Sequence, residues 1–234
     1  MPVAVLTGAS QGLGLALAVE LDHRGWDLVV GARGESNLRA ATSALGPGTV
    51  ALAGDVTDPA HVAAMSAAAA DLGGADLLVN NASTLGASPL PAVEDLDPAV
   101  LTKIYATNVV APVSLIRALM GQLVEHRGTV VNITSDAAVE AYETWGGYGS
   151  SKAALDHLSA VLAAERPRLR VYAFDPGDMR TQMHQDAFPG EDISDRAEPA
   201  TVVPALLRLL QERRPSGRYR ASDLHTPASA AASA

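Results

Sequence analysis

The chain has 234 residues, of which 48% are apolar and 18% charged; that length suits one domain with a large core, and that composition suits a buried sheet. Its net charge of −9, from 17 basic and 26 acidic side chains, argues against nucleic acid or an anionic membrane as a partner. It has no cysteine, which excludes disulfides, thiolate catalysis and cysteine-type zinc sites, and no metal-ligand set is assigned.

No apolar run reads as long enough to span a bilayer. Met1-Pro2 leads straight into Val3-Ala4-Val5-Leu6 without a basic stretch or a cleavage signal, so a cytoplasmic setting is expected. One domain is expected over 1–222, with a loose Ala/Ser-rich tail over 223–234. Short β-branched apolar runs at 3–6, 27–30, 49–52, 76–79, 129–133 and 170–174 alternate with helical patterns at 12–24, 36–45, 59–72, 98–126, 148–165 and 199–212. A last short strand is expected at 217–220. Continuous apolar strands alternating with helices predict an α/β doubly wound fold with a parallel sheet covered on both faces. Ligands of such sheets bind beyond the carboxyl ends of the strands, so the residues after each strand carry the functional reading.

The first strand ends in Thr7-Gly8-Ala9-Ser10-Gln11-Gly12-Leu13-Gly14. Glycines at 8, 12 and 14 allow a tight turn and close backbone approach to a ligand. The helix that follows aims its free N–H groups at the turn, which suits a dinucleotide pyrophosphate. After the second strand, an acidic residue would bind a ribose 2′-hydroxyl and repel a 2′-phosphate. Ala32 stands there instead, and Arg33 follows. Arg33 can make a charge-assisted contact to a 2′-phosphate, so the pattern favours NADP(H) over NAD(H).

Asp55-Val56 follows the third strand, and Asp55 to Asp58 could equally cap the next helix. Asn80-Asn81-Ala82-Ser83 follows the fourth, where Asn side chains can tie down neighbouring turns. Asn108 sits among apolar residues in the long pattern 98–126, where Pro112 is expected to kink the helix. The fifth strand leads to Thr134-Ser135, and a run Tyr148-Gly149-Ser150-Ser151-Lys152 follows. On a helix, Tyr148 and Lys152 lie one turn apart on one face. A cation beside a phenol lowers its pKa from about 10, and a shift of roughly three units takes about 4 kcal/mol. Alone, this pair is an ambiguous signal. After the sixth strand comes Asp175-Pro176-Gly177-Asp178-Met179-Arg180-Thr181. The segments 84–96, 136–147 and 179–196 should line a substrate pocket. Tyr142, Trp145, Met179 and Met183 are its candidate side chains, suited to an apolar or ring-containing compound.

The turn spacing TGxxxGxG, the NNA run, Ser135, the YxxxK pair and the Pro-Gly turn occur in the order that resembles the short-chain dehydrogenase/reductase family. The resemblance runs to about Ser222 and implies a single Rossmann domain with a seven-stranded parallel sheet. It implies an NADP(H)-dependent oxidoreductase that interconverts a carbonyl and an alcohol. In that reading Gly8, Ser10, Gln11, Gly12, Leu13 and Gly14 hold the pyrophosphate. Asp55 and Val56 contact the adenine, and Asn81 and Ala82 line the cofactor. Asn108 holds a relay water, Ser135 orients the substrate oxygen, and Tyr148 is the general acid/base. Lys152 lowers the pKa of Tyr148 and binds the nicotinamide ribose. Pro176, Gly177 and Thr181 hold the nicotinamide, with transfer of the pro-S hydride. Ser83 departs from the family's usual NNAG. Trp145-Gly146-Gly147-Tyr148, Lys152-Ala153-Ala154, 163–167 and Thr181-Gln182-Met183 look like the sepiapterin-reductase branch, which would make Asp223 a pterin anchor. The family's pairing of the 98–126 and 148–165 helices implies a homodimer or homotetramer. Two further readings stay open: a sensor that binds NADP(H) without chemistry, and an epimerase or dehydratase with a held cofactor.

Overall fold

The computed structural model describes residues 1–224; residues 225–234, most of the predicted tail, lie outside the described residues. Seven strands form one parallel sheet: β1 Val3–Thr7, β2 Asp27–Ala32, β3 Thr49–Ala53, β4 Leu77–Asn80, β5 Thr129–Ile133, β6 Arg170–Asp175 and β7 Gly217–Arg220. Their order is β3-β2-β1-β4-β5-β6-β7. The chain builds outward from β1 to β3, returns to place β4 beside β1, and builds outward again. Connections therefore diverge where β1 and β4 end, which opens a crevice at that point.

Among the described residues, eight helices cover the sheet: α1 Gly12–His23, α2 Glu35–Thr42, α3 Pro59–Asp71, α4 Pro98–Tyr105, α5 Ala111–Glu125, α6 Gly146–Glu165, α7 Gln182–Ala187 and α8 Pro199–Glu212. Because side chains alternate along a strand, Ala4 and Leu6 of β1 enter one core while Val3 and Val5 enter the other. The first core joins β1 to α1 and α8 through Leu17, Leu21, Leu206 and Leu209. The second joins it to α3 and α5 through Met65, Leu115, Leu119 and Leu123. Each such fully buried side chain contributes about 1.5–3 kcal/mol. Two helices start on Asp-Pro: the Asp58 side chain accepts from the Ala60 N–H and Asp97 from the Ala99 N–H, with proline in the first turn.

The segment expected as one kinked helix over 98–126 departs from that expectation. Between α4 and α5 lies a π-helical stretch, Ala106–Val110, closed by an Ala111 N–H bond to the Ala106 carbonyl. Pro112 has no N–H to offer the Asn108 carbonyl, so the α-helical bond there cannot form. The helix takes up one extra residue in place of a simple kink. Pro98–Glu125 is also long and apolar enough to cross a membrane by length and composition, with mean hydropathy 1.5, contrary to the expectation above. Here its Leu115, Leu119 and Leu123 stripe is buried in the second core. The 3-10 turn Ala221–Leu224 runs past residue 222 and buries Leu224.

Candidate active site

The crevice at the β1/β4 divergence has a volume of about 680 Å³. At one end is the glycine turn. Gly8 and Gly12 have φ of +66° and +58°, a left-handed conformation that favours glycine. A Cβ on Gly8 would lie 2.8 Å from Asn81 Nδ2, and one on Gly14 2.5 Å from the Gly8 carbonyl oxygen. The turn is thus packed tightly, Gly8 against Asn81 and Ala82 of the β4 loop and Gly14 against Gly8 itself. Asn81 pins it: its Nδ2 donates to the Thr7 and Gly8 carbonyls at 3.0 and 3.1 Å. The Asn81 and Ala82 N–H groups both donate to Thr7 Oγ1 at 3.0 Å. Gln11 precedes α1 without a side-chain cap, and no acid occupies the first turn. The N–H groups at the start of α1 are free to meet an anion. Ser10, Gln11, Gly12 and Leu13 line the crevice, while Gly14 sits behind them.

Arg33, Asp55 and Val56 line the same end. Arg33 is exposed, and among the described residues no hydrogen bond or ion pair ties its guanidinium down. Asp55 accepts from the Thr57 N–H and hydroxyl at 2.8 and 2.7 Å. These bonds, with a smaller pull from Arg33, hold its carboxyl below the usual range. Asp58, not Asp55, caps α3. A nicotinamide dinucleotide fits this half: an uncapped helix start, a turn open to close approach, and an exposed cation beside them.

At the other end, α6 carries Tyr148 and Lys152 one turn apart. Tyr148 is 8% exposed and Lys152 only 2%, and Lys152 Nζ lies 5.4 Å from the Tyr148 ring centre. The ammonium donates to the Ile133 carbonyl at 2.8 Å. Burial pushes Lys152 down to about 8, against the pull of Asp156. Burial also pushes the Tyr148 phenol well up; the Ser83 and Ser135 hydroxyls oppose this, and the Asp175 and Asp136 carboxylates add to it. Desolvation dominates this shift. Ser135 begins a 3-10 turn, where its Oγ accepts from the Ala137 N–H at 3.2 Å and donates to Asp136 Oδ1 at 2.8 Å. Ser135, Tyr148, Lys152, Pro176, Gly177 and Thr181 all line the crevice.

Asn108 does not line the crevice. Fully buried, it accepts from the Ser83 hydroxyl and the Thr84 N–H at 3.1 and 2.9 Å, and donates to the Thr84 carbonyl and Ser151 Oγ at 3.0 Å each. Its side chain clamps the β4 loop to α6. Ser83 thus has a partner that glycine would lack. Trp145, Met179 and Met183 line the substrate end, and Trp145 meets Tyr148 edge-on at 5.7 Å. Tyr142 stands outside it. It is 43% exposed, with its hydroxyl 3.0 Å from Asp136 Oδ2 and 2.9 Å from Glu140 Oε2, so two carboxylates draw it outward. Asp223 is exposed and absent from the crevice wall. Asp136 and His184, which fall in the segments expected to line the pocket, and His61, which nothing in the sequence marks, also line it. His184 sits on α7, inside the segment 179–196 that carries no expected helix; Thr181 Oγ1 caps it by accepting from the His184 N–H at 3.2 Å.

Residues 2–192 match the short chain dehydrogenase family. The chain belongs to that family. It is an oxidoreductase family, and the fold and the order of motifs agree with the assignment. A sepiapterin reductase of Meriones unguiculatus is 37% identical over 199 residues, covering 78% of this chain and 76% of the relative. An uncharacterised oxidoreductase of Saccharomyces cerevisiae is 30% identical over 230 residues, covering 95% and 90%. Among solved structures, a Shigella flexneri short chain dehydrogenase complexed with NADP superposes with TM-score 0.87 at 27% identity, covering 94% of this chain and 97% of that one. An alcohol dehydrogenase of Thermococcus sibiricus complexed with 5-hydroxy-NADP gives 0.82 at 25%, covering 94% and 95%. This short-chain dehydrogenase lies near the sepiapterin-reductase branch.

Proposed function

We propose that the chain reduces a carbonyl to an alcohol, or the reverse, with NADP(H) and with Tyr148 as general acid/base. The observation that carries this reading is the shared crevice: the free start of α1 at one end, and Ser135, Tyr148 and Lys152 at the other. The nicotinamide, when bound, supplies or accepts the hydride. The chain's part is position and proton. The glycine turn and Arg33 hold the phosphates. Pro176, Gly177 and Thr181 hold the far end of the cofactor. Tyr148 gives its proton to the substrate oxygen, and its raised pKa keeps that proton in place at neutral pH. Lys152 keeps a charge beside the phenol, which limits alkoxide build-up in a dry site. Ser135 must turn its hydroxyl from Asp136 to the substrate oxygen to orient it. The NADP complexes of similar structures favour NADP(H) over NAD(H).

Trp145, Met179 and Met183 favour a flat or apolar substrate. The sepiapterin reductases among the relatives make sepiapterin the first compound to try. Exposed Val110 of the π-helical stretch, Val113 of α5, and Leu158 and Val161 of α6 favour a homo-oligomer. NADPH absorbance followed against sepiapterin, diketones, quinones and simple ketones tests the reading. Consumption of NADPH with one of them, and slower consumption of NADH, is expected. Tight NADPH binding without turnover across that panel would leave the sensor reading instead.

A further inference from the structure

Strand β7 reads Gly217-Arg218-Tyr219-Arg220. Alternation puts Tyr219 on one face, edge-on to Tyr172 at 5.8 Å, and both arginines on the other. Edge strands commonly carry cations into solvent. Arg218 does the opposite, and its side chain is only 25% exposed. Its Nε donates to Asp156 Oδ2 at 3.0 Å. A terminal nitrogen donates to Asp175 Oδ2 and to the Ser135 carbonyl, both at 2.9 Å. The Asp175 side chain is 4% exposed and that of Asp156 16%.

Each of the three acceptors belongs to a different part of the active site. The Ser135 carbonyl is the main chain of the residue assigned to the substrate oxygen. Asp156 lies one turn beyond Lys152 on α6, on the Tyr148–Lys152 face. Asp175 Oδ1 accepts from the Gly177 N–H at 3.0 Å, so that carboxylate shapes the Pro176-Gly177 turn. Arg218 itself does not line the crevice. A planar guanidinium with a fixed fork can hold three acceptors in one arrangement, which an ammonium cannot.

We propose that Arg218 is a positioning residue for the reaction, locking Ser135, the Lys152–Asp156 turn of α6 and the Pro176-Gly177 turn in one register. This rests on the reading of Tyr148 and Lys152 as the proton machinery. It also adds an electrostatic role. The charged groups around the Tyr148–Lys152 pair are Asp156 from α6, Asp136 after β5, Asp175 at the end of β6, and Arg218 and Arg220 on β7, with Arg220 Nε 3.6 Å from Asp175 Oδ2. Three of these are carboxylates, and Arg218 directly neutralises two of them. Without it, Asp156 would act on Lys152 unopposed, and Asp175, left with Arg220 alone, would act more strongly on Tyr148. Both groups would then hold their protons to higher pH.

The test compares Arg218→Met and Arg218→Lys with wild type, measuring Tm, NADPH dissociation constant, kcat, KM and the pH profile of kcat. In Arg218→Met, kcat should fall by about 10–100-fold with the NADPH dissociation constant nearly unchanged. The alkaline limb of the profile should move up by roughly one unit. Arg218→Lys should return that limb toward wild type, since the charge is restored, but recover kcat only in part, since the fork is not. Wild-type kcat with an unmoved limb in either variant overturns the proposal. So does a kcat loss that tracks equal losses of Tm and NADPH binding with the limb unmoved, which would mean support of the fold alone. If Arg218→Met does not fold, Arg218→Lys decides: reduced kcat with normal NADPH binding supports the role, and wild-type kcat overturns it. Tyr148→Phe is the control. Turnover in that variant would sink the underlying reading, whereas an inactive Tyr148→Phe beside wild-type Arg218 variants would sink only the role of Arg218.

Discussion

The two ends of the crevice are built from different materials. The half at β1 to β3 works mainly through backbone: glycines with positive φ, an uncapped helix start, and Asn81 spent on holding the turn in place. Arg33 adds an exposed cation to it. The half at β5 to β7 works through buried side chains that lean on one another: Lys152 on the Ile133 carbonyl, Ser135 on Asp136, and Asp156 and Asp175 on Arg218. Backbone recognition is lost only by distorting the chain. A buried polar network is costly to hold and sensitive to each member. The first half should thus fail through geometry, the second through charge and proton position.

The largest effect on cofactor binding is expected at Gly14→Ala. The added Cβ meets a carbonyl oxygen 2.5 Å away, so the turn must shift, and NADPH affinity should fall by about 100-fold. Titration of NADPH fluorescence measures it; unchanged affinity would mean that the turn does not hold the cofactor. Ala32→Asp comes next. A carboxylate beside the 2′-phosphate should shift the NADPH/NADH ratio of kcat/KM by about 10–100-fold toward NADH, and an unmoved ratio would remove Arg33 and Ala32 from cofactor choice.

Lys152→Met should separate the halves most clearly. Wild type holds a cation in a site where burial takes its pKa down to about 8, against 10.4 in an unfolded chain. Below pH 8 both states carry the proton, and the folded state bears the full desolvation cost. Between about 8 and 10.4 the unfolded state binds more protons, so wild-type stability from this group rises with pH. The variant should therefore melt higher than wild type at pH 7, by about 2–4 °C for each kcal/mol relieved, with the gap closing by about pH 10. A lower melting temperature at pH 7 would show that Lys152 is a net stabiliser.

The same division governs what the amino-acid pattern reveals. The strands are legible because both faces of each central strand are buried, leaving continuous runs such as Leu28-Val29-Val30. The glycine turn and the Tyr148–Lys152 pair are legible because their spacing is local. The π-helical stretch is not, since it depends on Pro112 denying Asn108 a partner while Ser83, Thr84 and Ser151 hold its side chain. Helix α6 begins at Gly146, two residues before the expected start, in spite of two glycines with poor helix propensity. Asn132 is invisible in the pattern because its partners, Asn80 and Ser159, are 52 and 27 residues away. Arg218 reaches Ser135 across 83 residues, and nothing local marks it. Tyr142 looked like pocket lining on composition, but two neighbouring carboxylates turn it out.

The central claim is that Tyr148 passes the proton while the other end of the crevice holds the cofactor independently. Tyr148→Phe, assayed for both turnover and NADPH binding, tests both parts at once. The account predicts kcat lower by about 10²–10⁴-fold with an NADPH dissociation constant within about twofold of wild type. Turnover near the wild-type rate, in a variant that still binds NADPH, would contradict it.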